Sequence, residues 1–254
     1  MNALFINTRP SHKADFDLPI PSTRLPLLNI RHVDKLSNQE NVWLTEFIQG
    51  KIQTVVVVST EAVKGALAQL KRHGIHHAQD LPHCPTMIAV GKPTKNALAE
   101  FGFNVITPNE HALPMSNEGM IQMPQLSCLG DGDTVMIWRG VCGRRVLHDD
   151  LVKRGVSIKA MVFYERYTPH NLADDMAQLF AKTPTNTQLF VLISSAMGLN
   201  GWVANDPRTH QISFITLGDR LAKLTKRHYP NNNVYQTDKL SNQQIVAILD
   251  GVMH

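Results

Sequence analysis

Cysteine is scarce in this chain of 254 residues, which holds only Cys84, Cys128 and Cys142. Because the three are odd in number and far apart, they do not support a disulfide framework or a four-cysteine zinc site. Twelve histidines are present, but no HExxH motif occurs, and the adjacent His76 and His77 lie in a stretch typical of a solvated loop. We therefore expect reduced thiols and no metal ion.

Long hydrophobic runs are missing as well. The longest, such as Val55–Val58 and Phe190–Ile193, are far shorter than the roughly 20 residues that span a bilayer, so they indicate buried strands. Residues 1–10 lack the basic head and the long apolar stretch of a secretory signal. These features predict a cytoplasmic protein without a membrane partner.

Aromatic residues make up 6% of the chain, and the net charge is only +4 at pH 7, which favours an anionic partner without requiring one. Lysine and arginine are dispersed, without the basic block or interleaved aromatic residues typical of nucleic-acid binding. No GxGxxG follows a predicted strand, since Gly130–Gly132 precedes one, and neither GxxxxGK[ST] nor GxSxG occurs. The sequence thus disfavours nucleic-acid, nucleotide-binding and serine-hydrolase functions.

Strand-like and helix-like segments alternate along most of the chain, a pattern typical of an α/β protein with parallel strands. The predicted strands are Ala3–Asn7, Thr54–Ser59, Met87–Val90, Asn104–Thr107, Thr134–Trp138, Ser157–Tyr164, Leu189–Ser194, Ser213–Thr216 and Asn233–Gln236. The predicted helices are Thr60–His73, Lys92–Phe101, Gly143–Arg154, Leu172–Lys182, Asp219–His228 and Ser241–Val252.

Three pairs of segments indicate that the chain repeats itself at the scale of a domain. They are Val55–Val63 with Leu189–Met197, Met87–Thr94 with Phe214–Leu221, and Asn117–Ile121 with Asn242–Val246. The alternative is that any two α/β segments look alike, because buried strands are rich in valine and isoleucine and helices are amphipathic. The repeat predicts two similar doubly wound parallel-sheet domains.

Hydroxyls, glycines and arginines recur where the predicted strands end, and ligands of parallel sheets bind at those carboxyl ends. The residues concerned are Thr8, Arg9, Ser59, Thr60, Gly91–Thr94, Arg139–Arg144, Ser194, Ser195 and Gly218–Arg220. Helix N-termini that follow such turns favour carboxylates or phosphates. The alternative for each hydroxyl is a simple N-cap that satisfies backbone N–H groups.

The segment Arg139–Leu147 is the strongest local motif. Its glycines, Gly140 and Gly143, let backbone amides approach a ligand, and Arg139 and Arg144 can grip carboxylates bidentately. Cys142 lies inside this turn without a His or second Cys near it in sequence, so we interpret it as incidental.

Together these segments resemble the uroporphyrinogen-III synthase family across nearly the whole chain, through the order of several small motifs. The motifs are Thr8–Pro10, Pro26–Ile30, Ser59–Val63, Ala89–Thr94, Asn117–Met120, Arg139–Arg144, Tyr164 and Ser195–Leu199. The resemblance implies two α/β domains joined by a two-segment extended linker, with crossings near Pro26–Arg31 and Glu165–Pro169. One domain would comprise residues 1–28 with 169–254, and the other, residues 31–165, would be inserted into it.

The resemblance also implies a reaction. A hydro-lyase of this family takes the linear tetrapyrrole hydroxymethylbilane, removes its hydroxyl, inverts the last pyrrole ring and closes the macrocycle to uroporphyrinogen III for heme biosynthesis. No metal or organic cofactor is implied. The expected partners are the small-molecule substrate and, transiently, hydroxymethylbilane synthase, and we expect a monomer. The alternative is a non-catalytic two-domain binder of acidic tetrapyrroles or other anions.

By the family match, Tyr164 is the candidate proton donor, although the residues alone favour a plain strand aromatic. The predicted substrate-binding residues are Arg9, Ser59, Thr94, Arg139, Gly140, Gly143, Arg144, Ser195 and Arg220. Of these, Arg220 stands where the family commonly has a threonine turn, and we expect it to bind a carboxylate. The segment from Pro10 to Pro26 is shorter than the family pattern and carries Pro19 and Pro21, which predicts a truncated or missing first helix.

Overall fold

A computed structural model describes residues 2–141 and 143–253 of the chain. It divides into two compact units, the first formed by Met1–Ile30 and Tyr167–His254, the second by Arg31–Arg166. In the described ranges, no helix is both long and apolar enough to cross a membrane.

The elements are numbered in chain order. The strands are β1 (Ala3–Asn7), β2 (Ser22–Arg24), β3 (Asn29–His32), β4 (Thr54–Val57), β5 (Thr86–Ala89), β6 (Val105–Ile106), β7 (Thr134–Gly140), β8 (Ser157–Tyr167), β9 (Gln188–Ile193), β10 (Gln211–Leu217) and β11 (Asn233–Thr237). The α-helices are α1 (Asn38–Ile48), α2 (Thr60–Arg72), α3 (Lys92–Ala99), α4 (Asn117–Gln122), α5 (Pro124–Ser127), α6 (Val146–Lys153), α7 (Leu172–Lys182), α8 (Ala196–Asn205), α9 (Asp219–His228) and α10 (Asn242–Met253).

The first unit contains a five-stranded sheet in the order β11-β10-β9-β1-β2, with parallel pairing throughout. Both faces of this sheet are apolar, as expected for parallel strands with helices on either side. On one face, Met176 of α7 and Trp202 of α8 pack in a buried cluster with Phe214. On the other face, Ile245 and Leu249 of α10 pack in a cluster with strand residues that include Phe5.

The second unit contains a six-stranded sheet in the order β3-β8-β7-β4-β5-β6, in which β4, β5, β6, β7 and β8 pair in parallel. One face is covered by α4, α5 and α6, which contribute Met120, Leu126 and Leu151 to a buried cluster. Elsewhere in the core, Phe47 of α1 packs against Trp138 of β7, and their ring centroids are 5.4 Å apart.

The two sheets have the same spatial order of five strands. If β7 and β8 are matched with β1 and β2, and β4, β5 and β6 with β9, β10 and β11, the five strands follow the same order in both sheets, and the second sheet has β3 as an additional edge strand. The predicted fold class, a pair of similar doubly wound parallel α/β units, is therefore confirmed. The direction of winding reverses between β1 and β9 in one unit and between β7 and β4 in the other, and such a switch point is where parallel sheets bind ligands.

Several element bounds differ from those predicted. β7 continues through Arg139 and Gly140, because both residues still pair with β8, and β8 runs on to Tyr167. The helix predicted from Gly143 begins only at Val146, so the turn after β7 is longer than expected. Cys142 in this turn lies outside the described residues.

The missing first helix is confirmed for the described part of the chain. A loop instead of a helix joins β1 to β2, and Arg24 Nη2 closes it through an ion pair with Asp15 Oδ1 at 2.6 Å. The aromatic ring of Phe16 is buried and meets Phe5 edge-on, so the loop contributes to the core that the helix would otherwise cover.

Candidate active site in the second unit

An open cleft with a volume of about 180 Å³ lies at the carboxyl ends of the strands in the second unit. Three arginines, one histidine and one tyrosine line it together with apolar side chains, and we call it the arginine cleft. Its lining residues are Val58, Asn117, Ile137, Arg139, Gly140, Gly143, Arg144, Leu147, His148, Tyr164 and Arg166.

Tyr164 is placed by an irregularity in β8. Arg139 pairs with Val162 but Gly140 pairs with Tyr164, so β8 carries one extra residue, Phe163, at this point. A bulge of this kind redirects the side chains beside it. The Tyr164 ring lies directly over Gly140, where an added Cβ would come within 2.7 Å of Cζ of the ring. Gly140 is therefore needed for the space it leaves.

The hydroxyl of Tyr164 has two protein partners. Ser59 Oγ donates to it at 3.1 Å, and Arg166 Nη2 donates to it at 3.3 Å. Ser59 is also the N-cap of α2, since its Oγ accepts the backbone N–H of Ala62 at 3.2 Å. Ser59 therefore caps α2 and also contacts Tyr164, while its role as a substrate-binding residue stays a prediction.

The three guanidiniums of the arginine cleft differ in their surroundings. Arg139 is half-buried, and its Nε donates to the carbonyl of Gly140 at 3.1 Å. Arg144 is exposed and forms an ion pair with Glu118, and Arg166 is exposed beside Tyr164. The backbone N–H of Glu118 itself, then Ser116 and Arg144, lower the pKa of the Glu118 carboxyl. Clustered guanidiniums of this kind suit a ligand with several carboxylates.

The other predicted residues of the second unit lie near the cleft or apart from it. Gly143 is exposed in the turn after β7 and faces Arg139, whose Nη2 would lie 3.7 Å from an added Cβ. Thr94 is 4% exposed in the first turn of α3 and is not among the lining residues. The structure therefore gathers Ser59, Gly140 and Tyr164 with the arginines and leaves Thr94 outside.

Three predicted residues belong to the first unit. Ser195 follows β9 and caps α8, where its Oγ accepts the backbone N–H of Gly198 at 3.0 Å. Arg220 is exposed in the first turn of α9. Arg9 follows β1, and its guanidinium lies 3.8 Å over the ring of Phe16 and donates through Nε to Asn7 Oδ1 at 3.3 Å.

The environment of Arg9 is unusual for a residue that binds an external carboxylate. Burial, followed by the positive charge of Arg24, lowers the pKa of Arg9, and Asp15 opposes this effect. Nη2 of Arg9 donates a further hydrogen bond to the carbonyl of Ala14. Its own loop therefore already satisfies much of its donor capacity.

Arg166, His148 and Asn117 were not predicted as site residues. Strand alternation gives a signal for Arg166, because residues two apart in a strand point to the same side, and Tyr164 was already a candidate. No comparable signal exists for His148, whose place depends on how α6 packs against the sheet. Throughout residues 2–141 and 143–253, no group of three or more His, Cys, Asp or Glu side chains is arranged to hold a metal ion.

Comparison with known proteins relates the chain to one enzyme family. A family model described as uroporphyrinogen-III synthase HemD matches residues 21–240. The uroporphyrinogen-III synthase of Salmonella typhimurium is 32% identical over 117 residues, a stretch that covers 46% of this chain and only 44% of that relative. The enzyme of the same name from Escherichia coli is 27% identical over 186 residues, or 70% of each chain.

Solved structures show the same fold. The crystal structure of uroporphyrinogen-III synthetase from Helicobacter pylori has a TM-score of 0.65 at 15% identity, and the match covers 99% of this chain and 100% of that one. A mutant uroporphyrinogen III synthase from Thermus thermophilus has a TM-score of 0.57 at 11% identity, covering 92% and 90%. Since the family model extends over most of the sequence, this chain belongs to the uroporphyrinogen-III synthase family.

Proposed function

We propose that this chain converts hydroxymethylbilane to uroporphyrinogen III, with inversion of the last pyrrole ring and loss of water. The observation that carries the proposal is the phenol of Tyr164 at a cleft lined by the guanidiniums of Arg139, Arg144 and Arg166. The substrate bears two carboxylates on each ring, and hydrogen bonds to charged groups contribute about 1.5–3 kcal/mol each. Such a cleft can hold a polycarboxylate while leaving its reactive end free.

The chemistry needs little more than an acid and a fixed substrate conformation. Tyr164 would donate a proton to the departing hydroxyl, while Arg139, Arg144 and the backbone amides of the turn after β7 orient the pyrrole rings. Ser59, Thr94, Ser195, Arg9 and Arg220 remain proposed substrate contacts. No cofactor is required by this scheme.

The experiment that tests the proposal mixes the purified protein with freshly generated hydroxymethylbilane and measures the ratio of type III to type I uroporphyrinogen. The type I isomer forms spontaneously, so an excess of type III is expected if the chain is the enzyme. Only type I from a correctly folded protein would contradict the proposal and would favour a non-catalytic binder of acidic tetrapyrroles.

Replacement of Tyr164 by Phe tests the proton donor. The substitution removes only the hydroxyl, and general acid catalysis is worth about 100-fold or more, so kcat should fall by about that factor while KM changes little. Steady-state formation of the type III isomer is the measurement. An unchanged kcat would show that Tyr164 is not the acid.

We also propose that the protein works as a cytoplasmic monomer and contacts hydroxymethylbilane synthase transiently. The reactivity of the substrate supports the contact with hydroxymethylbilane synthase, because a product that cyclises spontaneously favours direct passage to the next enzyme. Gel filtration of the chain alone and with that synthase is the test. We expect separate monomeric peaks, with any complex confined to high protein concentration.

A further inference from the structure

Arg166 lies beside Tyr164 on β8, two residues further along the strand. Its Nη2 donates to the Tyr164 hydroxyl oxygen at 3.3 Å, and its Cζ is 5.6 Å from the centre of the Tyr164 ring. The residue between them, Glu165, forms an ion pair with Arg31, whose Nε lies 2.6 Å from Oε1. The adjacent carboxylate is therefore directed to another partner, and the guanidinium lines the arginine cleft.

The donors around the Tyr164 oxygen determine where its own hydrogen can go. An arginine has donors only, so the phenol oxygen must accept from Arg166. Ser59 Oγ already accepts the Ala62 N–H and gives its hydrogen to the same phenol oxygen. With both acceptor positions of the oxygen used, the phenol hydrogen is left for a third partner in the cleft.

We propose that Arg166 is a positioning residue for Tyr164, an inference that rests on the proposed function. It fixes the phenol so that its hydrogen points at the substrate hydroxyl, and its charge stabilises the phenolate that forms. As the substrate C–O bond breaks, the oxygen keeps the electron pair, takes the proton of Tyr164 and leaves as water. Ring closure releases a proton from the last pyrrole, which restores the phenol, while Arg166 stays protonated throughout.

A double-mutant cycle tests this assignment, because a residue that acts through Tyr164 has no effect when the hydroxyl is absent. We expect Arg166→Gln to lower kcat about 10-fold with KM changed less than about twofold, and Arg166→Lys to recover most of the loss. In the Tyr164→Phe background, Arg166→Gln should change kcat by less than about twofold. Arg72→Gln is the matched control, since Arg72 is an exposed arginine at the far end of α2 that pairs with Asp34.

Other outcomes would overturn the proposal. Losses that multiply in the double variant, or an effect on KM alone, would show that Arg166 binds a substrate carboxylate independently of Tyr164. An Arg166→Gln variant with unchanged kcat would exclude both roles. If this variant folds poorly by circular dichroism, Arg166→Lys in the two backgrounds gives the same cycle. Failure of the proposed function is recognised separately, because the unmodified protein would then form no type III isomer.

Discussion

Gly140 leaves the space that the ring of Tyr164 occupies. A methyl group at this position would lie 2.7 Å from Cζ of the ring, which is too close for any real contact, so the ring must move. We expect Gly140→Ala to lower kcat at least about 10-fold, because a displacement near 1 Å at a reacting group is costly. The measurement is steady-state formation of the type III isomer.

Gly130→Ala is the control for this substitution. Its nearest non-local atom is the carbonyl oxygen of Arg154 at 3.7 Å, an ordinary contact, and it lies outside the arginine cleft. We expect kcat of this variant to match that of the unmodified chain. A Gly140→Ala protein with full activity would show that the Tyr164 ring does not need its present position.

The composition of the candidate site was only partly predictable from sequence. Arg139 and Arg144 follow a buried strand and flank glycines, so local pattern was enough to select them. Strand alternation from Tyr164 also indicates Arg166, but whether that side of β8 faces the cleft depends on the extra residue in β8. The position of Arg9 at a strand end selects it by the same rule. Its guanidinium, however, already contacts Phe16 and other residues of its loop, and a rule based on strand ends does not include such contacts.

Helix α2 approaches β8 closely enough that its middle must be small. A Cβ at Gly65 would lie 2.7 Å from both Cβ and the carbonyl oxygen of Phe163, next to Tyr164. We expect Gly65→Ala to destabilise the protein by about 1–3 kcal/mol, the usual cost of overpacking. Urea unfolding followed by circular dichroism is the measurement, and unchanged stability would show that α2 can shift at no cost.

A glycine-to-alanine substitution in α10, in contrast, should stabilise the protein. Gly251 lies in this helix, and within the described part of the chain no atom outside its own helical surroundings comes within 4 Å of an added Cβ. Alanine there gains helix propensity, up to about 1 kcal/mol, without a clash. Gly251→Ala is therefore the matched control for Gly65→Ala.

Glu40 connects α1 to β8. Its Oε1 accepts the backbone N–H of Val162 at 3.0 Å, and its Oε2 completes a capping box with Ser37. Burial opposes ionisation, but the hydrogen bonds from Val162 and Ser37 outweigh it and lower the pKa of Glu40. The ionised carboxylate therefore stabilises the fold above the unfolded-state pKa, about 4.3, and this stability is lost as the pH falls through the folded-state value.

We expect Glu40→Gln to lose about 1 kcal/mol at pH 7, since one amide oxygen cannot replace two carboxylate oxygens and the group is partly solvated. The difference from the unmodified chain should shrink as the pH falls below about 4. Urea unfolding at several pH values from 3 to 7 checks this. Glu100→Gln, at an exposed position after α3, is the control, and a difference independent of pH would contradict the assignment.

Prediction of the elements succeeded where one local signal was dominant. Strands of consecutive valines or isoleucines and helices with a clear polar face, such as α7 and α9, were predicted with the bounds observed or nearly so. Helix α1 was not predicted, although Ser37 and Glu40 form the capping-box signature in the sequence. The repeat of Val55–Val63 in Leu189–Met197 indicated a helix after Ser195, but α8 received no bounds, because its apolar residues surround most of its axis and their spacing does not define a clear polar face.

Each of the two units has its own buried clusters, around Trp202 and Phe5 in the first and around Met120 in the second. Chains with separate cores depart from two-state unfolding. We expect calorimetry to give a total enthalpy larger than the van't Hoff enthalpy, and Gly65→Ala to shift only one component. One two-state transition that shifts as a whole would contradict this expectation.

The pairing of β1 with β9 sets an order of events during synthesis. Ala3 of β1 pairs with Gln188 of β9, so β1, which lies between β2 and β9 in the first sheet, lacks one neighbour until most of the chain has been translated. The strands of the second unit all lie between these two in sequence and can associate earlier. On the ribosome, the part of the protein that is begun first is therefore the part that is completed last, and β1 must be kept from wrong partners in the interval.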